Sequence, residues 1–91
     1  MLDQRIKRAA REDIRYHELE DGAVIYDTRA EKIHTLNLTA AYVWNRLDGL
    51  HTLDEIASQI RQLVDVSQET VLKDVHDVVR RYRDEGLLQS R

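Results

Sequence analysis

Histidine is the side chain most often found holding metal or moving protons near neutral pH, and this chain has four, His17, His34, His51 and His76. None stands in an HExxH or other short paired-ligand spacing, and no cysteine is present to complete a zinc set, so no metal site is expected. The lack of cysteine also removes thiol nucleophiles and disulfides. Asp and Glu are plentiful but scattered over helix faces and caps, which accounts for them without paired-carboxylate chemistry. Gly22, Gly49 and Gly86 all fall at expected turns or helix ends, leaving no phosphate-cradling loop. No serine sits in a nucleophile-elbow context. The expectation is therefore of no catalytic residue, no cofactor and no enzymatic activity.

What remains is recognition chemistry. Lys32-Ile33-His34-Thr35-Leu36 is β-branched enough to pair as a strand, and an exposed edge strand carries unpaired N–H and C=O groups that accept an extended peptide. The alternation of a strand favours His34 over Ile33 as the companion of Leu36 toward the core. A long helix carries Val71, Leu72, Val75, Val78, Val79 and Tyr82 on an arc about 120° wide, broader than a core of this size needs. The spare edge of that arc, Val78 or Val79, could line a groove beside a neighbouring strand, although all six residues also read simply as core. Ile33 with Thr35 or Leu36 would form the strand wall, Val75, Val78, Val79 and Tyr82 the helical wall, and Asp74 and Arg81 a polar rim. Asp74 and Arg81 also read simply as a solvated helix face, where such pairs contribute little.

The elements that position these residues follow from a change of period along the chain. Residues 14–36 read as short strands and residues 38–85 as helices. Tyr16-His17-Glu18-Leu19 and Ala23-Val24-Ile25-Tyr26 flank Asp21-Gly22, a dipeptide suited to the positive φ angles of a tight hairpin turn. The polar stretch Asp27-Thr28-Arg29-Ala30-Glu31 then leads into the third strand. Asn37 is placed to cap a helix whose face is Ala40, Val43, Trp44 and Leu47. Asp48-Gly49-Leu50-His51 reads as a turn. Thr52-Leu53-Asp54-Glu55 is a capping box for a second helix with Leu53, Ile56, Ala57, Ile60, Leu63 and Val64 on its apolar face. Ser67 caps the third helix, and Gly86 supplies the left-handed residue that stops it, with Leu87 folding back on Tyr82. Before all of this lies an N-terminal arm, residues 1–13, in which Leu2, Ile6, Ala9 and Ala10 have the spacing of a short amphipathic helix, marginal without packing, so that a disordered arm is the equal alternative. The fold class is thus a small α+β domain resembling a winged helix-turn-helix, a three-stranded antiparallel sheet followed by three helices.

Composition bounds the surroundings. At 91 residues the chain is one domain with one modest core. Apolar residues make up 42% and charged ones 34%, the mixture of a folded soluble protein rather than a disordered tail. No apolar run is long enough to span a bilayer, and the N-terminus lacks a secretory stretch, so a cytoplasmic location is expected. A net charge of -3 works against broad attraction to nucleic acid or anionic membrane.

Four stretches, taken in order, resemble the PqqD family: Val24-Ile25-Tyr26-Asp27 before a polar turn; Leu36-Asn37-Leu38-Thr39-Ala40 leading to Val43-Trp44; Leu47-Asp48-Gly49 before Thr52-Leu53-Asp54-Glu55-Ile56-Ala57; and Asp74-Val75 followed by Tyr82-Arg83-Asp84-Glu85-Gly86-Leu87-Leu88. The resemblance makes residues 14–91 a PqqD-like peptide-recognition domain of the free-standing kind. It implies a recognition element for ribosomally synthesised, post-translationally modified peptides, which binds the leader of a precursor peptide as a strand added to the third strand, in the groove against the third helix. The peptide-binding residues it implies are Lys32, Ile33, His34, Thr35, Leu36, Asp74, Val75, Val78, Val79, Arg81 and Tyr82. A separate modifying enzyme, such as a leader peptidase or a radical enzyme, is the expected second partner, in lasso-peptide biosynthesis somewhat more than in quinone-cofactor biosynthesis.

The competing reading is a winged-helix transcriptional regulator, with helices two and three as a helix-turn-helix. Its recognition helix is poorly charged for that task. Gln68, Glu69, Asp74 and Asp77 fill the half that would enter the groove, with Lys73 the one cation there, and Arg80, Arg81 and Arg83 come late. A monomer is expected, with a domain-swapped dimer as the form that the turns Thr28-Arg29-Ala30-Glu31 and Asp48-Gly49-Leu50-His51 would permit.

Overall fold

A computed structural model of the chain describes residues 7–89. The elements run β1 (Lys7–Ala9), β2 (Ile14–Leu19), β3 (Gly22–Asp27), β4 (Lys32–Asn37), α1 (Leu38–Asn45), β5 (Asp48–Thr52), α2 (Leu53–Arg61) and α3 (Gln68–Asp84). The α+β class stands, with the three-stranded antiparallel sheet in the order β2-β3-β4 and the three helices following it.

The sheet follows the alternation of its residues. Ala23, Ile25 and Asp27 on β3 and Leu36 on β4 are buried, whereas Tyr26 and Ile33 are 38% and 70% exposed. His34 is half-buried on the same face as Leu36, as the alternation predicts. The hairpin differs in its turn. Leu19 pairs with Gly22, so Glu20 and Asp21 form the turn and Gly22 opens β3. Gly22 is required by close approach: a Cβ there would lie 2.0 Å from the Leu36 carbonyl oxygen across the strand pair.

Local caps place the helices. The Asn37 side chain accepts from the Ala40 N–H at 2.8 Å. Thr52 Oγ1 accepts from Glu55 N–H at 3.1 Å while the Glu55 carboxylate accepts from Thr52 N–H at 2.7 Å, completing the capping box. Ser67 caps α3 through the Thr70 N–H. At the far end Gly86 adopts φ +72°, the Leu87 N–H donates to the Tyr82 carbonyl at 2.9 Å and the Gly86 N–H to that of Arg83 at 3.0 Å, the paired bonds of a Schellman stop. Leu87 is thereby buried beneath the helix end. The helices and the sheet share one core. Trp44 meets Tyr82 edge to face at 5.2 Å, and the Tyr82 hydroxyl donates to the buried Ala40 carbonyl at 2.6 Å. Burial pushes the Tyr82 phenol well above its ordinary value.

Three further expectations change. The reading of Asp48-Gly49-Leu50-His51 as a turn gives way to a strand: β5 pairs antiparallel with β1, and Gly49, at φ +80°, sits where the register between them shifts. The N-terminal arm is not helical over residues 7–9 and does not stand apart. Lys7 pairs with Thr52 and Ala9 with Asp48, Ala10 bridges Leu88, and the Arg11 N–H donates to the Leu87 carbonyl at 2.9 Å. Leu2 and Ile6, the first half of the expected helix, lie outside the described residues. The second helix ends at Arg61, where the Gln62 and Leu63 N–H groups tighten into i→i−3 bonds to the Gln59 and Ile60 carbonyls, at 3.2 and 2.8 Å. Leu63 and Val64, expected on the buried face, are 68% and 48% exposed as a result.

Candidate functional site

The strand order leaves one side of β4 without a neighbour among the described residues. Alternate residues from Lys32 to Asn37 therefore direct N–H and C=O groups outward, the condition for accepting another strand.

The groove beside this edge is built by β4 and α3 running in opposite directions. At one end Asn37 and Thr39 face Asp74, Asp77 and Val78 around a cavity of about 310 Å³. At the other end, Lys32 pairs with Asp27, and Arg11 ties Asp27 to the Gly86 carbonyl at the C-terminus of α3. Asp74, Val78 and Arg81 follow one another on the helix at the i, i+4, i+7 spacing, and of the three Asp74 and Val78 line that cavity.

Burial divides the expected site residues in two. Lys32, Ile33 and Thr35 on β4 and Asp74 and Arg81 on α3 are exposed, and His34 and Val78 are half-buried. Leu36, Val75, Val79 and Tyr82 are instead core residues, each no more than 2% exposed. A guest touching them would first have to displace the packing that holds α3. Of the two valines at the spare edge of the arc, the half-buried one is Val78, whose neighbours Asp74 and Asp77 are both exposed. Ile33 and Thr35 project from the sheet face opposite His34 and Leu36, so they do not form a wall with α3. His34 does point that way, and its Nε2 is buried with no hydrogen-bond partner. Asn37, Thr39 and Asp77 are groove residues that sequence reasoning missed. The signal was present in the helix cap, which must sit where β4 delivers the chain to α1, and in Asp77 at i+3 from Asp74.

Away from the groove, a second cluster closes the opposite end of the sheet. Arg11 donates to both carboxylate oxygens of Asp27, at 3.1 and 3.2 Å, and to both of Asp13, at 3.0 and 2.6 Å. Asp27 also accepts from the Arg29 and Ala30 N–H groups in the turn that follows β3. Burial alone would raise the Asp27 carboxyl; the Arg11 hydrogen bonds and those two backbone donors outweigh it and hold the group below the ordinary carboxylate range. Asp13 is lowered chiefly by the same guanidinium. The polar cleft around this cluster also contains Arg29 and Arg83, engaged by Asp13 and Asp84 respectively. Asp13, Asp27 and Asp84 are thus paired within the fold, whereas Nε of Arg8, in the same cleft, is buried without a hydrogen-bond partner. Among the described residues no group of His, Asp and Glu side chains converges as metal ligands would.

Comparison with known proteins bears on the family and on the fold as a whole. The sequence pattern described as "Coenzyme PQQ synthesis protein D (PqqD)" matches residues 22–88. No curated protein matches the chain significantly by sequence. Among solved structures, the fold is similar to that of TbiB1 in complex with the TbiA(beta) leader peptide, with a TM-score of 0.81 at 19% identity, over 91% of this chain and 96% of that one. It is equally similar to a lasso peptide synthetase B1 complexed with the leader peptide, with a TM-score of 0.80 at 23% identity, over 92% of this chain and 99% of that one.

Proposed function

The chain belongs to the PqqD family, and on that premise we propose that it is a peptide chaperone that binds the leader of a ribosomally made precursor by strand addition to β4. It delivers that precursor to a separate modifying enzyme, a leader peptidase or a radical enzyme, in peptide natural-product biosynthesis of the lasso type. The observation that carries this reading is the unpaired edge of β4 beside the groove walled by Asp74, Asp77 and Val78. The two solved folds most useful for comparison support it, since both are described as complexes with a leader peptide. The role is binding rather than catalysis and is exercised in the cytoplasm, where precursors are translated. No helix among the described residues is long and apolar enough to cross a membrane.

Energetics decide where affinity resides. Each net backbone hydrogen bond contributes about 0.5–1.5 kcal/mol, and ordering a guest residue costs about 1–2 kcal/mol, so those terms nearly cancel. Guest side chains buried at about 1.5–3 kcal/mol each must therefore bring binding toward the micromolar range, near about -8 kcal/mol. The winged-helix DNA reading gains no support from α3, where phosphate would meet Glu69, Asp74 and Asp77.

The test uses the leader segments of short peptides encoded beside this chain, synthesised with a fluorescent label. N-methylation of one leader amide at a time removes a ladder donor without touching the domain. Saturable binding is expected, lost at alternate leader positions and retained between them. Binding that tolerates N-methylation at every position would reject strand addition.

A further inference from the structure

Strand addition would send half of the guest's side chains to the face of the sheet away from α3, because successive residues of a strand point to opposite sides. That face is not blank. The register aligns Arg15 with Tyr26 and Tyr26 with Ile33, making one row across the three strands, and His17, Val24 and Thr35 make the next. The two rows border a shallow cavity of about 620 Å³ that includes the side chains of Tyr26, Val24 and Ile33. Charge lies at the β2 side of this shelf, and its apolar part lies toward the open edge.

Ile33 is the anomaly that gives the shelf meaning. It is 70% exposed as the second residue of an edge strand, a setting that folds commonly protect with a charge, a proline or a bulge. A β-branched apolar residue there invites another strand rather than repelling it.

We propose that the outer shelf is a second reading surface for the bound strand, taking an apolar β-branched or aromatic guest side chain beside Ile33 and extending the row Arg15, Tyr26, Ile33 by one strand. Directly opposed residues on neighbouring strands bring their Cβ atoms to about 4.5–5.5 Å, close enough for that side chain to cover Ile33. The guest is then read on both faces. Residues of one parity meet His34 and Val78 in the groove, and a residue of the other parity meets Ile33 and, behind it, Tyr26. A polar guest residue at that place would leave Ile33 in water and forfeit the contact. This inference rests on the strand-addition reading, and it adds a requirement on the guest sequence that the groove alone does not impose.

The labelled leader, substituted by serine one position at a time, is titrated against the wild type, Ile33→Thr and Tyr26→Thr. Threonine keeps the β-branching that suits a strand and removes the apolar surface. Ile33→Thr is expected to weaken the unsubstituted leader about fivefold, with Tyr26→Thr smaller, and neither to change the circular dichroism spectrum. One outward-parity serine that weakens wild-type binding should lose most of its effect in Ile33→Thr, whereas inward-parity serines should cost the same in both proteins. Unchanged affinity in Ile33→Thr, or a serine effect that does not depend on Ile33, overturns the shelf. If N-methylation still shows alternate losses in that case, strand addition survives and only the shelf falls. If no leader binds saturably, both fall. Self-association of the wild type in ultracentrifugation that Ile33→Thr abolishes would assign the surface to a second copy of this chain and overturn the proposal.

Discussion

The two ends of the sheet solve opposite problems. At the Asp27 end the carboxylates of Asp13 and Asp27 find partners inside the chain, with Arg11 holding both of them and the Gly86 carbonyl in one cluster. Along β4 the backbone groups of the outer side find none within the sheet. The first region is closed by charge and the second is left open, although both lean on the same helix. The lesson is that stability and binding reside in different residues, so single substitutions should separate them.

The sharpest division lies between adjacent positions. Val79→Asp buries a carboxylate where the valine is 0% exposed, and it should cost about 4 kcal/mol or more and leave little folded protein at room temperature. Thermal melting followed by circular dichroism measures this directly. A folded Val79→Asp would break the claim that this face of α3 is core.

Next in size is the charge cluster. Arg11→Met leaves Asp27 buried without its principal partner, and melting should begin about 8 °C lower or more. The pH dependence has a definite sign. Asp13, Asp27, Asp48 and Glu55 are all held below the ordinary carboxylate range, so the native state binds fewer protons than the unfolded one near pH 4. The stability they contribute is complete above their unfolded values, about 4, and is lost as pH falls through their lower native values. Asp27→Asn should flatten part of that acid limb, which a series of melts between neutral pH and about pH 3 would detect. An unaltered limb would mean that the cluster is not what closes this end.

A smaller effect is expected inside the core. Tyr82→Phe removes the hydroxyl that serves the Ala40 carbonyl, at a cost of about 1–2 kcal/mol, or a melting point lower by about 4–8 °C. Smallest for stability, and therefore most informative, is Val78→Asp. Its side chain stays partly in water, so melting should shift by only about 2 °C while leader affinity falls about tenfold. Equal losses in stability and affinity would merge the two regions that the structure separates.

Much of this division was legible in residue order because it depends on neighbours a few positions apart. Asn37, Thr52 with Glu55, Ser67 and Gly86 mark helix ends through bonds that close within one turn, and each does so in the structure. The half-buried His34 follows equally locally, from period-2 alternation with Leu36. The failures are long-range. Lys7-Arg8-Ala9 carries no strand signal of its own and becomes one only because Asp48–Thr52 offers it a partner across the chain. Arg11 and Asp27 are sixteen positions apart, and nothing in either residue announces the other. The arc on α3 reveals that apolar surface is in excess, but which valine is spare depends on where α1 and the sheet stop, so Val78 and Val79 separate only in three dimensions. Ile33 was read as a residue of recognition, and its face follows from the same one-residue alternation that turned His34 inward.

Amide hydrogen exchange of β4 with and without the leader tests the central claim most directly. If the guest completes the sheet, alternate amides from Lys32 to Asn37 slow markedly on saturation while those of β2 stay as they were. Protection that appears elsewhere in the domain, with the β4 amides exchanging as fast as before, would contradict it.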